Sequence, residues 1–87
     1  MTLTELAVEA AGWIGAALIL LGYLMVTTGR LTGQSAAFQW MNVAGAAGFI
    51  VNGWWHGALP STALNVIWMG IGIVALLRIS RRRAQSI

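Results

Sequence analysis

Formal charge is almost absent from the middle of this chain. Between Glu9 and Arg78, the only residue that carries a formal charge is Arg30. Of the 87 residues, 59% are hydrophobic and 8% are charged, whereas about a quarter of the residues in soluble domains are charged. The mean hydropathy is +0.79. This pattern predicts an integral membrane protein whose surroundings are a lipid bilayer.

A short polar segment and a tight aromatic turn with glycine and proline divide the apolar sequence into three stretches. Because a helix needs about 20 residues to cross a bilayer, a chain of 87 residues holds about three spans and no separate soluble domain. We predict an all-α, three-transmembrane-helix bundle that forms one domain over residues 1–87. The predicted segments are helices at about 6–27, 36–54 and 60–79 and a basic tail at 80–87. Thr4 and Ser35 are predicted N-caps.

The positions of the arginines predict the orientation of the bundle. All five basic residues lie in the first connection or near the C-terminus, as Arg30, Arg78, Arg81, Arg82 and Arg83. Because basic residues accumulate on the cytoplasmic side of membrane proteins, we place the N-terminus outside and the C-terminus in the cytoplasm. We interpret the arginines as topology determinants next to anionic headgroups, and we expect no nucleic-acid partner.

Amide side chains recur on one face of the second predicted helix. Residues three and four apart share a helix face. This face holds Gln39, Asn42, Gly45, Phe49 and Asn52. In the third helix the same spacing places Asn65 beside Trp68. Because an unpartnered polar side chain is costly in hydrocarbon, these amides indicate either a packed interface or a solute pathway.

The first predicted helix also has one face that is more polar than the rest. That face holds Glu9, Trp13, Tyr23 and Thr27. We expect it to turn inward, towards the other helices. The same helix contains small residues that permit close approach of a neighbouring helix in a membrane.

Side chains that support catalysis or metal binding are scarce. The chain has no cysteine, and its one histidine, His56, has no neighbouring acid in the sequence. Metal sites combine several such ligands, so we interpret His56 as an interfacial residue. No nucleophile and base can be paired from the residues present. We therefore expect no enzyme activity, no cofactor and no metal.

The segment from Ser35 to Asn65 contains, in this order and at fixed spacing, Ser35, Gly45, Phe49, Gly53, Pro60 and Asn65. In this order and spacing the segment resembles the bacterial SemiSWEET half-transporters of the PQ-loop superfamily. The whole chain, including GWIGAALILLGYL and PSTALNVIW, is similar to a family of small three-helix bacterial membrane proteins of mostly unknown function. SemiSWEET-like architecture implies that the third helix sits between the first two and that two copies enclose a sugar pathway. It also implies that Phe49 and Asn65 touch the solute.

These observations predict a homodimeric half-transporter for a small polar solute such as a sugar, working by alternating access in the bacterial inner (cytoplasmic) membrane. The predicted solute-binding residues are Asn65, Phe49, Asn42, Asn52 and Trp68. The alternative is a non-transporting accessory or assembly subunit, packed against a larger membrane complex such as a respiratory or photosynthetic assembly. It stays open because small residues and amides serve helix packing as well as solute contact.

Overall fold

The structure, a computed structural model, describes residues 1–85 and contains three helices in that range. They are α1 (Leu3–Thr27), α2 (Ala36–Trp55) and α3 (Leu59–Gln85). Every regular element among the described residues is a helix, so the all-α prediction with three helices is confirmed.

The start of each of the first two helices is fixed by a hydroxyl side chain. Thr2 caps α1, because its Oγ1 accepts a hydrogen bond from the backbone N–H of Glu5 at 3.1 Å. The prediction that Thr4 is the cap was wrong, since Thr4 already lies inside the helix. Ser35 caps α2 as predicted and accepts from the N–H of Phe38 at 3.2 Å.

The third helix is longer than predicted. It continues past Ile79 and through the three consecutive arginines to Gln85. The predicted boundary marked the end of the apolar run. Arginine, alanine and glutamine all favour helices, so the change from apolar to basic residues does not end α3. Positions 86 and 87 of the predicted tail lie outside the described residues.

The middle helix is also the central one in space. Helix α2 packs against both α1 and α3, whereas no Cα atom of α1 lies within 8 Å of a Cα atom of α3 in the described chain. The arrangement implied by the SemiSWEET resemblance, with the third helix between the first two, is therefore wrong for this chain. Short connections keep sequential helices adjacent, and small residues on α2 face both neighbours: Gly45 meets α1 and Gly53 meets Thr62 of α3.

Two of the three helices are long and apolar enough to cross a membrane. They are Leu3–Thr27 and Leu59–Ala84, with mean hydropathies of 1.9 and 1.8. Helix α2 does not pass the same test, although we predicted three spans; its amide face lowers its hydropathy. In α1 and α3 only 17% and 11% of the most apolar window is buried, whereas a core helix of a soluble protein is mostly covered.

Candidate functional site

A groove lies between the first part of α1 and the last part of α2. Its volume is about 330 Å³, and we call it the Glu9 groove. It is lined by Glu9, Gly12, Trp13, Ala16, Phe49 and Asn52. The groove is open along one side, where the indole of Trp13 is 75% exposed. Two of the five predicted solute-binding residues, Phe49 and Asn52, thus share one surface.

An acid and a base meet beside this groove. The Oε1 atom of Glu9 lies 2.7 Å from Nε2 of His56, and the two side chains are 39% and 50% exposed. His56 is the residue that ends α2. Sequence reasoning missed the pair, because the two residues are 47 positions apart. The predicted membrane orientation could have indicated the pair, since it places Glu9 and His56 at the same outer end of the bundle.

Asn52 links α2 to α1. Its Nδ2 donates a hydrogen bond to the backbone carbonyl of Val8 at 3.1 Å. A Cβ atom at Gly12 would lie 2.7 Å from the same Nδ2 atom, so the glycine is what leaves room for the amide. One amide donor of the groove is therefore engaged in holding two helices together.

The other three predicted solute-binding residues lie elsewhere. Asn42 is buried, with 7% of its surface exposed, and its amide forms no hydrogen bond with the described residues. Asn65 donates from Nδ2 to the carbonyl of Ser61 on its own helix at 2.9 Å, and Trp68 is 47% exposed. Since none of the three lines the Glu9 groove, a single chain does not gather all five. A shared cavity between two copies stays a prediction.

The inner face of α1 differs from the predicted one. Within the described chain α1 buries Val8, Gly15 and Gly22, whereas Trp13 and Tyr23 of the more polar face are 75% and 68% exposed. The prediction that this face turns inward was wrong for a single chain. Glycines let the backbones of two helices approach closely, and bulky aromatic side chains at the same positions would hold them apart.

A second groove runs along α3 and ends under the connection between α1 and α2. Its volume is about 640 Å³, and we call it the arginine groove. Its lining includes Gly33, Gln34, Gly70, Val74, Arg78 and Arg82. Nη1 of Arg82 donates to Oε1 of Gln34 at 3.5 Å. No sequence pattern pointed to this groove, because the connection and α3 are far apart along the chain.

The described part of the chain has no cluster of metal ligands, since no three His, Cys, Asp or Glu side chains form a group there.

A protein-family model matches residues 8–83. No curated protein and no solved structure matches the chain. None of these comparisons connects it with the SemiSWEET transporters or the PQ-loop superfamily.

Proposed function

The chain belongs to the uncharacterised family whose model covers residues 8–83, and from its geometry we propose that it is a homodimeric membrane half-transporter for a small polar solute. The observation that carries the proposal is the Glu9 groove. Polar and aromatic groups line it, and it is open on one side, so that one copy does not enclose a path.

Membrane placement is supported by the surface of the helices. Large apolar side chains of α1 and α3 point away from the bundle: Ile14, Leu20, Ile67 and Ile71 are 60%, 69%, 62% and 61% exposed. In water such a surface is unfavourable, whereas lipid chains solvate it. With α2 as a third span, the arginines face the cytoplasm and Glu9 faces outward. The location we propose is the bacterial inner membrane.

Pairing of two copies is what would convert a groove into a pathway. Two-fold assembly brings the same surface of each copy together, and a face with Glu9, Trp13 and Asn52 is costly to leave against lipid. Phe49 offers a ring on which a sugar can stack, and the amide of Asn52 offers hydrogen bonds. Transporters bind solutes near the interface of such repeated units.

Asn42 extends the proposed pathway into the bundle. The residue is 7% exposed and its amide has no hydrogen bond within the described chain. No fully buried side-chain N or O atom of the described residues lacks a partner, so the Asn42 amide keeps access to the surface. Water or solute between two copies would supply a partner. No acidic residue lies between Glu9 and the C-terminus, so we propose facilitated diffusion without a coupled cation.

Uptake into proteoliposomes tests the proposal. The wild-type chain, reconstituted alone, is expected to take up at least one of a panel of labelled mono- and disaccharides and to have the mass of a dimer in mild detergent. Phe49→Ala and Asn52→Ala, which change two residues of the Glu9 groove, are expected to reduce uptake at least tenfold. Leu64→Ala, which changes a 64% exposed position on α3, is the control. A monomeric protein, or uptake unchanged in both variants, contradicts the proposal.

The accessory-subunit alternative is favoured by a different observation. The amide donor of Asn52 is bonded to a backbone carbonyl of the neighbouring helix α1, as expected of a side chain that serves packing. This function predicts that the chain, purified from its own membrane in mild detergent, is recovered with larger proteins in fixed stoichiometry. Recovery as a pure dimer contradicts it.

A further inference from the structure

We propose that the arginine groove is a binding site for one anionic phospholipid, with the phosphate beside Arg78 and Arg82 and an acyl chain along α3. The inference rests on the membrane placement proposed above but not on transport.

The shape of the groove fits an acyl chain. Its lining on α3 extends from Ile67 to Arg82, which is about 22 Å at ~1.5 Å per residue and exceeds the ~15 Å of one hydrocarbon leaflet. The wall between these ends is apolar and includes Ile71 and Val74. Gly70 leaves open space, because a Cβ atom there would have no atom within 4 Å among its neighbours.

The charge of the groove selects the headgroup. Arg78 forms no hydrogen bond or ion pair with the described residues, and Arg82 lies against Gln34 at the same end. A guanidinium group binds phosphate oxygens through two parallel N–H donors. The two acidic side chains of the chain, Glu5 and Glu9, are in the first turns of α1, so no acidic side chain lies next to Arg78.

A second copy of the chain is a poor occupant of the same groove. Copies inserted in one membrane share one orientation, so the arginines of both would lie at the same level and repel. A phospholipid with net negative charge instead combines an apolar chain with a complementary head. A zwitterionic lipid offers the same chain and phosphate but adds a cation near Arg78.

Native mass spectrometry of the full chain in mild detergent tests the site. Phosphatidylglycerol and phosphatidylcholine with identical acyl chains are titrated separately. We expect one phosphatidylglycerol to bind preferentially. Arg78→Gln should weaken its binding about fivefold, which is ~1 kcal/mol per basic residue. Arg81→Gln, an equal charge change at a residue that does not line the groove, should change it less than twofold.

A space-filling variant tests the acyl part. Gly70→Leu should weaken binding of both lipids at least tenfold, whereas Ala63→Leu, at an exposed position of α3 outside the groove, should not. Helical circular dichroism checks that each variant folds. Equal losses from Arg78→Gln and Arg81→Gln, unchanged binding in Gly70→Leu, or full competition by soluble glycerol phosphate would overturn the proposal.

The outcome is separable from that of the function proposed above. If the wild-type chain does not enter nanodiscs of pure phosphatidylcholine, the membrane placement and the lipid site both fail. If it enters them without preferring phosphatidylglycerol in the titrations, only the lipid site fails. If the lipid binds as expected but no solute is taken up, only the transport proposal fails.

Discussion

Gly15 on α1 and Gly45 on α2 touch through their backbones. A Cβ atom at Gly15 would lie 2.6 Å from the carbonyl oxygen of Gly45, and a Cβ atom at Gly45 would lie 3.0 Å from the carbonyl oxygen of Gly15. The close contact between α1 and α2, which we call the glycine seam, continues at Gly48, which faces the carbonyl of Ala11. At Gly15 the obstructing atoms are all backbone atoms of α2, so a side chain there has no flexible neighbour to displace and the helices themselves must separate. At Gly45 the nearest atom is instead Cγ1 of the Ile19 side chain, at 2.6 Å.

Gly15→Ala is therefore expected to destabilise the bundle by about 1 to 3 kcal/mol, the usual cost of overpacking. The measurement is the loss of helical circular dichroism on heating in detergent. Gly70→Ala is the matched control, because the space beside Gly70 is open. Alanine is the better helix former, so this control should be neutral or slightly stabilising. Equal melting temperatures for the two variants would show that the glycine seam does not hold α1 to α2.

Asn52→Ala should weaken the same contact by removing the bond to Val8. Interhelical hydrogen bonds of this kind contribute about 0.6 kcal/mol on average in a membrane protein and up to ~1.7 kcal/mol, so we expect a smaller loss than for Gly15→Ala. The melting temperature of the purified chain measures it. Val51→Ala, at a neighbouring position that is 50% exposed, is the control, and a larger loss there than in Asn52→Ala would refute the role of the bond.

Asn42→Leu should separate packing from transport. Because the Asn42 amide forms no hydrogen bond with the described residues, replacing it with an apolar side chain of similar size should leave stability unchanged or raise it by about 1 kcal/mol. If Asn42 faces a solute pathway, uptake should nevertheless fall several-fold. Melting and uptake are measured on the same preparation. A marked loss of stability would contradict this interpretation, since it would mean that the amide has a structural role.

Much of this fold follows from local sequence rules. The short polar segment that ends at Ser35 and the glycine and proline near Pro60 separate the apolar runs. All three helix starts and the first two helix ends lie within three residues of the expected positions. The largest error is at the end of α3, where the apolar pattern stops at Ile79 and the helix does not. Hydropathy reports where a chain leaves the bilayer, whereas helix propensity decides where the helix ends.

Spatial relations between helices were harder to predict. The polarity of each helix face was readable, but which face packs inward depends on how closely two backbones approach. On α1 the face with Gly15 packs inward because glycine permits this close approach, whereas the face with Trp13 stays exposed. The SemiSWEET resemblance implied that α3 lies between α1 and α2. In the structure α2 lies between α1 and α3 and packs closely against both. The pairing of Glu9 with His56 required that order, since α1 and the end of α2 must be adjacent for the two side chains to meet.

The Glu9–His56 pair should stabilise the contact between α1 and the end of α2 only weakly. The Glu9 and His56 side chains are 39% and 50% exposed, and exposed contacts between an acidic and a basic side chain contribute about 0 to 1 kcal/mol. A double-mutant cycle with Glu9→Gln, His56→Gln and the double variant should give a coupling free energy in that range. A coupling of several kcal/mol would contradict this expectation, since a pair that stays in contact with water cannot supply it.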